Sequence, residues 1–173
     1  MSGHNKWTQI KHQKGAADKK RGLLFSKIIK AISVAAREEP NPEFNPRLRT
    51  LIAKARAEAV PNDTIERALK KQDAENLEEL TLEAYGAAGI AFLISIITDN
   101  RNRTISEIKH VLGEHEGKLA GEGSVRWAFD GDTPKFPQAV SENDAEKITT
   151  LKDALESHDD VQVVITNALT PIP

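Results

Sequence analysis

Eight lysines and arginines stand in the first thirty residues, MSGHNKWTQIKHQKGAADKKRGLLFSKIIK, against the lone acid Asp18 and around one tryptophan. Ammonium and guanidinium groups at this density neutralise phosphates and release condensed counterions, which is the chemistry of binding a polyanion. Lys6, Lys11, Lys14, Lys19, Lys20 and Arg21 are the cations concerned, with Asn5 and His12 as further polar contacts. Trp7, flanked by Lys6 and Gln9, offers a flat ring that can stack on an exposed base or ribose. The same Trp7, with Ile10, equally suits tacking an N-terminal arm onto a helical core. A second cluster lies in TDNRNRT, where Arg101 and Arg103 follow an apolar run and precede a helical pattern. Free backbone N–H groups at a helix N-terminus attract anions, and two guanidiniums would add to such a site. The alternative is that Asp99 pairs with the arginines and braces the strand-to-helix turn.

Catalytic chemistry finds less support. Cysteine is absent, which excludes thiol catalysis, disulfide frameworks and thiolate-ligated zinc. His110 and His115 are five apart, so they do not stack on one helical face as an i, i+4 ligand pair would. GAAGIA and GEGS carry glycines without the strand–loop–helix spacing of a phosphate loop, and both read as turns. Asp159-Asp160 offers a carboxylate pair, yet it directly precedes a strand pattern and reads as the end of a helix. The chain is therefore read as non-enzymatic, with no cofactor, metal or small-molecule substrate.

The elements that must position these residues follow from composition and period. A net charge of −2 conceals a polarity. Residues 1–75 hold 16 basic against 9 acidic residues, a net +7, and residues 76–173 hold 8 against 17, a net −9. Such an asymmetry points to a polyanion-binding N-terminal part. The longest apolar run, Ile90–Ile97, is strand-sized and far short of a membrane span. The basic N-terminus lacks the apolar core of a secretory signal, and its lysine dominance and Asp18 argue against a mitochondrial presequence. The expected location is the cytoplasm.

Residues 1–15 show no clean period and read as an arm or a short frayed helix. Phe25, Ile28, Ile29, Ile32 and Ala36 then recur at helical spacing, predicting a helix over about 17–38. EEPNPEFNP ends it. Asn45 as N-cap and Pro46 at the first position open a second helix, about 46–59, and Asp63 caps a third. A basic helical domain with an N-terminal arm thus spans 1–75. In 76–173 the period changes: LTLEAYG alternates, IAFLISIIT is a strand buried on both faces, and Thr104 with Glu107 opens a helix. SVRWAF and KFPQAV read as strands, residues 141–160 as a helix capped by Ser141 or Asn143, and VQVVITNA as a last strand. The expected class is α+β: three helices, then a ferredoxin-like βαββαβ domain with LTLEAYG as an extra hairpin strand.

The opening GHNKWTQIKHQKGAADKKRGLLFSKIIKAISVAAR closely resembles the pattern GHSKWxxIKHxKxxxDxKRxxxFxKxxxxIxxAAR of the YebC/PmpR family. The resemblance continues through NPRLRTLIAKARAEAVPNDTIERALKK, LEAYGAAGIAFLISIITDNRNRT, GSVRWAF and DALESHDDVQVVITN, most of the chain. It implies a helical domain joined to α/β domains, in a cytoplasmic transcriptional regulator that binds DNA. Relatives reported to act in translation imply a second partner, ribosomal RNA or tRNA on stalled ribosomes. A third class is an adaptor working through the acidic second half. Family members are normally longer, with a further α/β domain after the WAF-type strand. Here GDTPKFPQAV joins Phe129 almost directly to the final helix, so the resemblance is to a shortened member lacking that domain.

Overall fold

The computed structural model describes residues 3–70 and 76–169, with side chains from residue 14 onward. The chain divides into two compact units, Met1–Glu75 and Asn76–Pro173. The first holds α1 (Gly3–Glu38), α2 (Pro46–Ala57) and α3 (Asn62–Leu69). The expected arm is absorbed into α1, a single helix of 36 residues and about 54 Å at 1.5 Å per residue. Helical hydrogen bonds are local and need no apolar stripe. Gly15 and Gly22 each cost about 1 kcal/mol against alanine, which does not stop a helix otherwise rich in lysine, glutamine and alanine.

The core of this unit gathers Ile28, Ile32, Ala35 and Ala36 of α1 with Leu48, Ile52 and Ala55 of α2 and Ile65 and Ala68 of α3. Asn45 locks the α1–α2 corner. Its carbonyl oxygen accepts from Leu48 N at 2.9 Å, while Nδ2 donates to the Ala35 and Glu39 carbonyls, both at 2.9 Å. One buried side chain thereby starts α2 and ends α1. The expected cap at Asp63 is not formed: α3 starts at Asn62 after Pro61, and Asp63 sits in its first turn without a side-chain cap bond. There its charge still complements the helix dipole.

The second unit is built on a four-stranded antiparallel sheet in the order β3-β1-β2-β7, from β1 (Glu78–Tyr85), β2 (Ala91–Thr98), β3 (Lys118–Leu119) and β7 (Val161–Thr166). Leu80, Ala84, Phe92, Ile94 and Ile96 face α4 (Arg101–Glu114) and α5 (Glu142–Glu156), which supply Ile108, Leu112, Ile148, Leu151 and Leu155. The α+β class holds, while the strand assignment differs in detail. LTLEAYG is an inner strand of the sheet. SVRWAF and KFPQAV stay outside it: Arg126–Ala128 is one 3-10 turn, followed by the short hairpin β4 (Phe129–Asp130) and β5 (Thr133–Pro134). Gln138–Ala139 forms only a two-residue parallel pair, β6, with β8 (Ala168–Leu169). Val125, Ala128 and Phe129 instead cover Ala91 and Leu93 on the sheet's second face, which is why β2 is buried on both sides.

Candidate nucleic-acid interface

Among the described side chains of α1, burial begins only where α2 and α3 begin to pack. Every residue from Lys14 to Gly22 is exposed, and nothing lies within 4 Å of the position a side chain would take at Gly15 or Gly22. This stretch presents Lys14, Lys19, Lys20 and Arg21 against Asp18, an excess of three positive charges. Arg21 lies over the Phe25 ring at 5.1 Å from its centroid, where the first core turn begins. Arg21 stays exposed despite that contact. Lys27 and Lys30, nearer the core, are half-buried. Asn5, Lys6, Trp7, Lys11 and His12 fall within the span of α1, but their side chains lie outside the described residues.

Arg101 and Arg103 have protein partners. The α4 helix starts at Arg101, three residues before the expected capping box, because the Asn100 side chain accepts from Arg103 N at 3.1 Å. Both arginines therefore occupy the first helical turn. Arg101 pairs with Glu78 at 2.7 Å. Arg103 Nη2 donates to Asp160 at 2.8 Å and to Asp99 at 2.9 Å, and its Nε lies 3.8 Å from Glu107. Asp160, 2% exposed, also accepts from the buried Thr104 hydroxyl at 2.7 Å, and Thr104 meets Thr98 at 2.8 Å. The hydrogen bond to Asp160 raises the Arg103 pKa further above its already high ordinary value. The bracing alternative describes this turn: α4, the end of β2 and the residue before β7 are tied through one carboxylate.

Glu107, His158 and Asp160 bring three potential metal-ligand atoms within 4.8 Å of one another. The Arg103 cation already bridges two of these carboxylates, and His158 Nε2 meets Glu107 at 2.8 Å. The cluster is one ion-pair network. Asp160, which the sequence placed at a helix end, is its centre.

Glu83 is the charged residue that sequence reasoning missed. It lies in mid-strand β1 and is 4% exposed. Its carboxylate accepts from the backbone N–H of Gly123 at 2.7 Å, Val125 at 2.7 Å and Arg126 at 3.1 Å. Burial alone would raise its pKa, but the three N–H donors and the nearby Arg126 charge outweigh burial and hold it below the ordinary value. The alternation of LTLEAYG does mark Glu83 as opposite to Leu82 and Ala84. Nothing in that pattern says a loop returns to cover it.

Residues 5–75 match the family model described as the TACO1/YebC protein N-terminal domain, and residues 77–133 match the TACO1/YebC second and third domain. A probable transcriptional regulatory protein of Desulfosudis oleivorans is 53% identical over 135 residues, covering 75% of this chain and 55% of that protein. Another, of Geotalea uraniireducens, is 45% identical over 171 residues, covering 90% and 69%. The crystal structure of a conserved hypothetical protein from Aquifex aeolicus matches with a TM-score of 0.81 at 32% identity, over 89% of this chain and 92% of that one. The chain spans about half the length of the first curated relatives it matches.

Proposed function

The chain belongs to the TACO1/YebC family, and from that premise we propose that it is a non-enzymatic cytoplasmic regulator that binds nucleic acid along α1. The observation that carries this reading is the fully exposed run from Lys14 to Gly22, four cations against one carboxylate on a helix that buries nothing there. An exposed helical stretch of this kind can enter a phosphate-lined surface without unfolding anything. Lys6, Lys11 and His12 would extend the contact along the same helix, with Asn5 and Trp7 beside them. Arg101 and Arg103 are assigned to bracing α4, since their charge is spent on Glu78, Asp99 and Asp160.

The regulatory names of the relatives put DNA first as the partner. Contacts to phosphate carry no sequence information, so the same helix serves ribosomal RNA equally well. No helix among the described residues is long and apolar enough to cross a membrane. The test is DNA gel shifts across a salt series beside co-sedimentation with ribosomes. Replacing Lys19, Lys20 and Arg21 with alanine should flatten the slope of log affinity against log salt by about 0.7–0.9 per lost phosphate contact. An unchanged slope would sink the α1 reading. Promoter DNA bound no more tightly than random DNA, with ribosomes retaining the protein, would move the regulation from transcription to translation.

A further inference from the structure

The turn that covers the sheet's second face also does the reverse of burial. In an extended SVRWAF, Trp127 would share a face with Val125 and Phe129. The 3-10 turn at Arg126–Ala128 breaks that alternation, so Val125, Ala128 and Phe129 point inward while Arg126 and Trp127 both point out. Trp127 is 60% exposed and Phe136 51% exposed, and their ring centroids lie 5.8 Å apart at an interplanar angle of 41°. The Trp127 ring and the Phe136 backbone are nonetheless held in place. Trp127 Nε1 donates to the Ser124 carbonyl at 2.8 Å, which also accepts from Tyr85 Oη at 2.7 Å. Asn167, itself buried, donates to the Phe136 carbonyl at 3.0 Å. Glu83 holds the N–H groups of Val125 and Arg126 just before Trp127.

Each ring carries a neighbouring cation. Arg126 precedes Trp127, and Lys135 Nζ lies 5.7 Å from the Phe136 ring centroid. The pairing Phe129↔Pro134 and Asp130↔Thr133 puts the rings and cations at the open end of the β4–β5 hairpin. The exposed Asp130 and Asp132 sit toward its turn. Rigid exposed aromatics flanked by phosphate-pairing cations are the components of a stacking platform for unpaired bases.

We propose that Trp127 and Phe136, with Arg126 and Lys135, form a second contact that stacks unpaired bases of a single-stranded nucleic acid. The inference rests on the reading of α1 as a nucleic-acid contact and narrows it, because a paired duplex keeps its base faces stacked and offers this platform nothing.

The test uses the full chain with Trp7→Phe, which leaves Trp127 as the only tryptophan. Short oligouridine should quench Trp127 fluorescence, and a duplex of either nucleic acid should not. Trp127→Ala and Phe136→Ala should each weaken oligouridine binding by between about fivefold and about a hundredfold, with duplex affinity unchanged. Trp127→Phe should retain most of the binding and Trp127→Leu should lose it, since stacking needs a ring. If Trp127→Ala leaves oligouridine affinity intact while the Lys19, Lys20 and Arg21 alanine variant weakens it, the platform is wrong and the α1 reading stands. Absence of any nucleic-acid binding overturns both. Quenching by a proline-rich peptide alone, or a dimer dissolved by Trp127→Ala, gives the rings to another occupant and also overturns the proposal.

Discussion

Replacing Glu83 with glutamine changes one atom type and tests how the loop carrying Arg126 and Trp127 is held. The carboxylate accepts three backbone donors, two on Oε2 and one on Oε1. An amide can keep its oxygen toward Val125 and Arg126, but its NH₂ then faces the Gly123 N–H. One hydrogen bond to a charged acceptor disappears and two donors confront each other in a buried site, a loss of about 2–4 kcal/mol. Urea unfolding, read through Trp127 fluorescence in the Trp7→Phe background, reports on the second unit alone. The pH dependence gives an independent reading. Because the folded Glu83 titrates below its ordinary value of 4.5, its contribution is fully present above that value. It is lost as pH falls through the lowered folded pKa. Glu83→Gln should therefore flatten part of the acid limb of the stability curve as well as lower the neutral plateau. A variant within about 0.5 kcal/mol of the parent at neutral pH, the range of ordinary surface changes, would refute the anchoring role.

Two further outcomes separate bracing from binding. Arg103→Ala should lower the melting temperature of the second unit, by leaving Asp160 buried without its cation, and leave the salt slope of nucleic-acid binding unchanged. A flatter slope at unchanged stability would instead return Arg103 to the interface. Asn45→Ala should destabilise the first unit by about 1–2 kcal/mol in chemical denaturation, near the top of the range for N-caps because it also frees the Ala35 and Glu39 carbonyls.

The helical unit was legible because its signals are local. Asn45-Pro46 and the stripe from Phe25 to Ala36 operate within a few residues of themselves, and both stand as read. Ser141 as the cap of α5, accepting from Asp144 N, is the same kind of signal. Errors came where distant segments decide. The TDNRNRT turn offered Thr104 as a cap, but its hydroxyl is taken by Asp160, 56 residues away. SVRWAF has strand composition, yet it joins neither edge of the sheet, where β3 and β7 lie, and it turns and packs on the face instead. The stretch preceding residue 17 looked irregular because helical hydrogen bonds are local and need no apolar stripe to announce them. In the site, the exposed cations from Lys14 to Arg21 were readable from type alone, whereas the pairing of Arg103 required the fold.

The exposed length of α1 has a geometric corollary. At about 100° per residue, Lys19, Lys20 and Arg21 lie roughly 140°, 240° and 340° around the axis from Lys14. Cations stand on several sides of the rod, with Asp18 at about 40° in the widest gap, so its attraction to a polyanion is not confined to one face. Such a rod suits a crevice walled by phosphates on several sides better than the outside of one backbone. On the proposed α1 contact, such a rod would set how tightly the chain is held while leaving its azimuth loosely set, so alignment on a target would have to come from other residues.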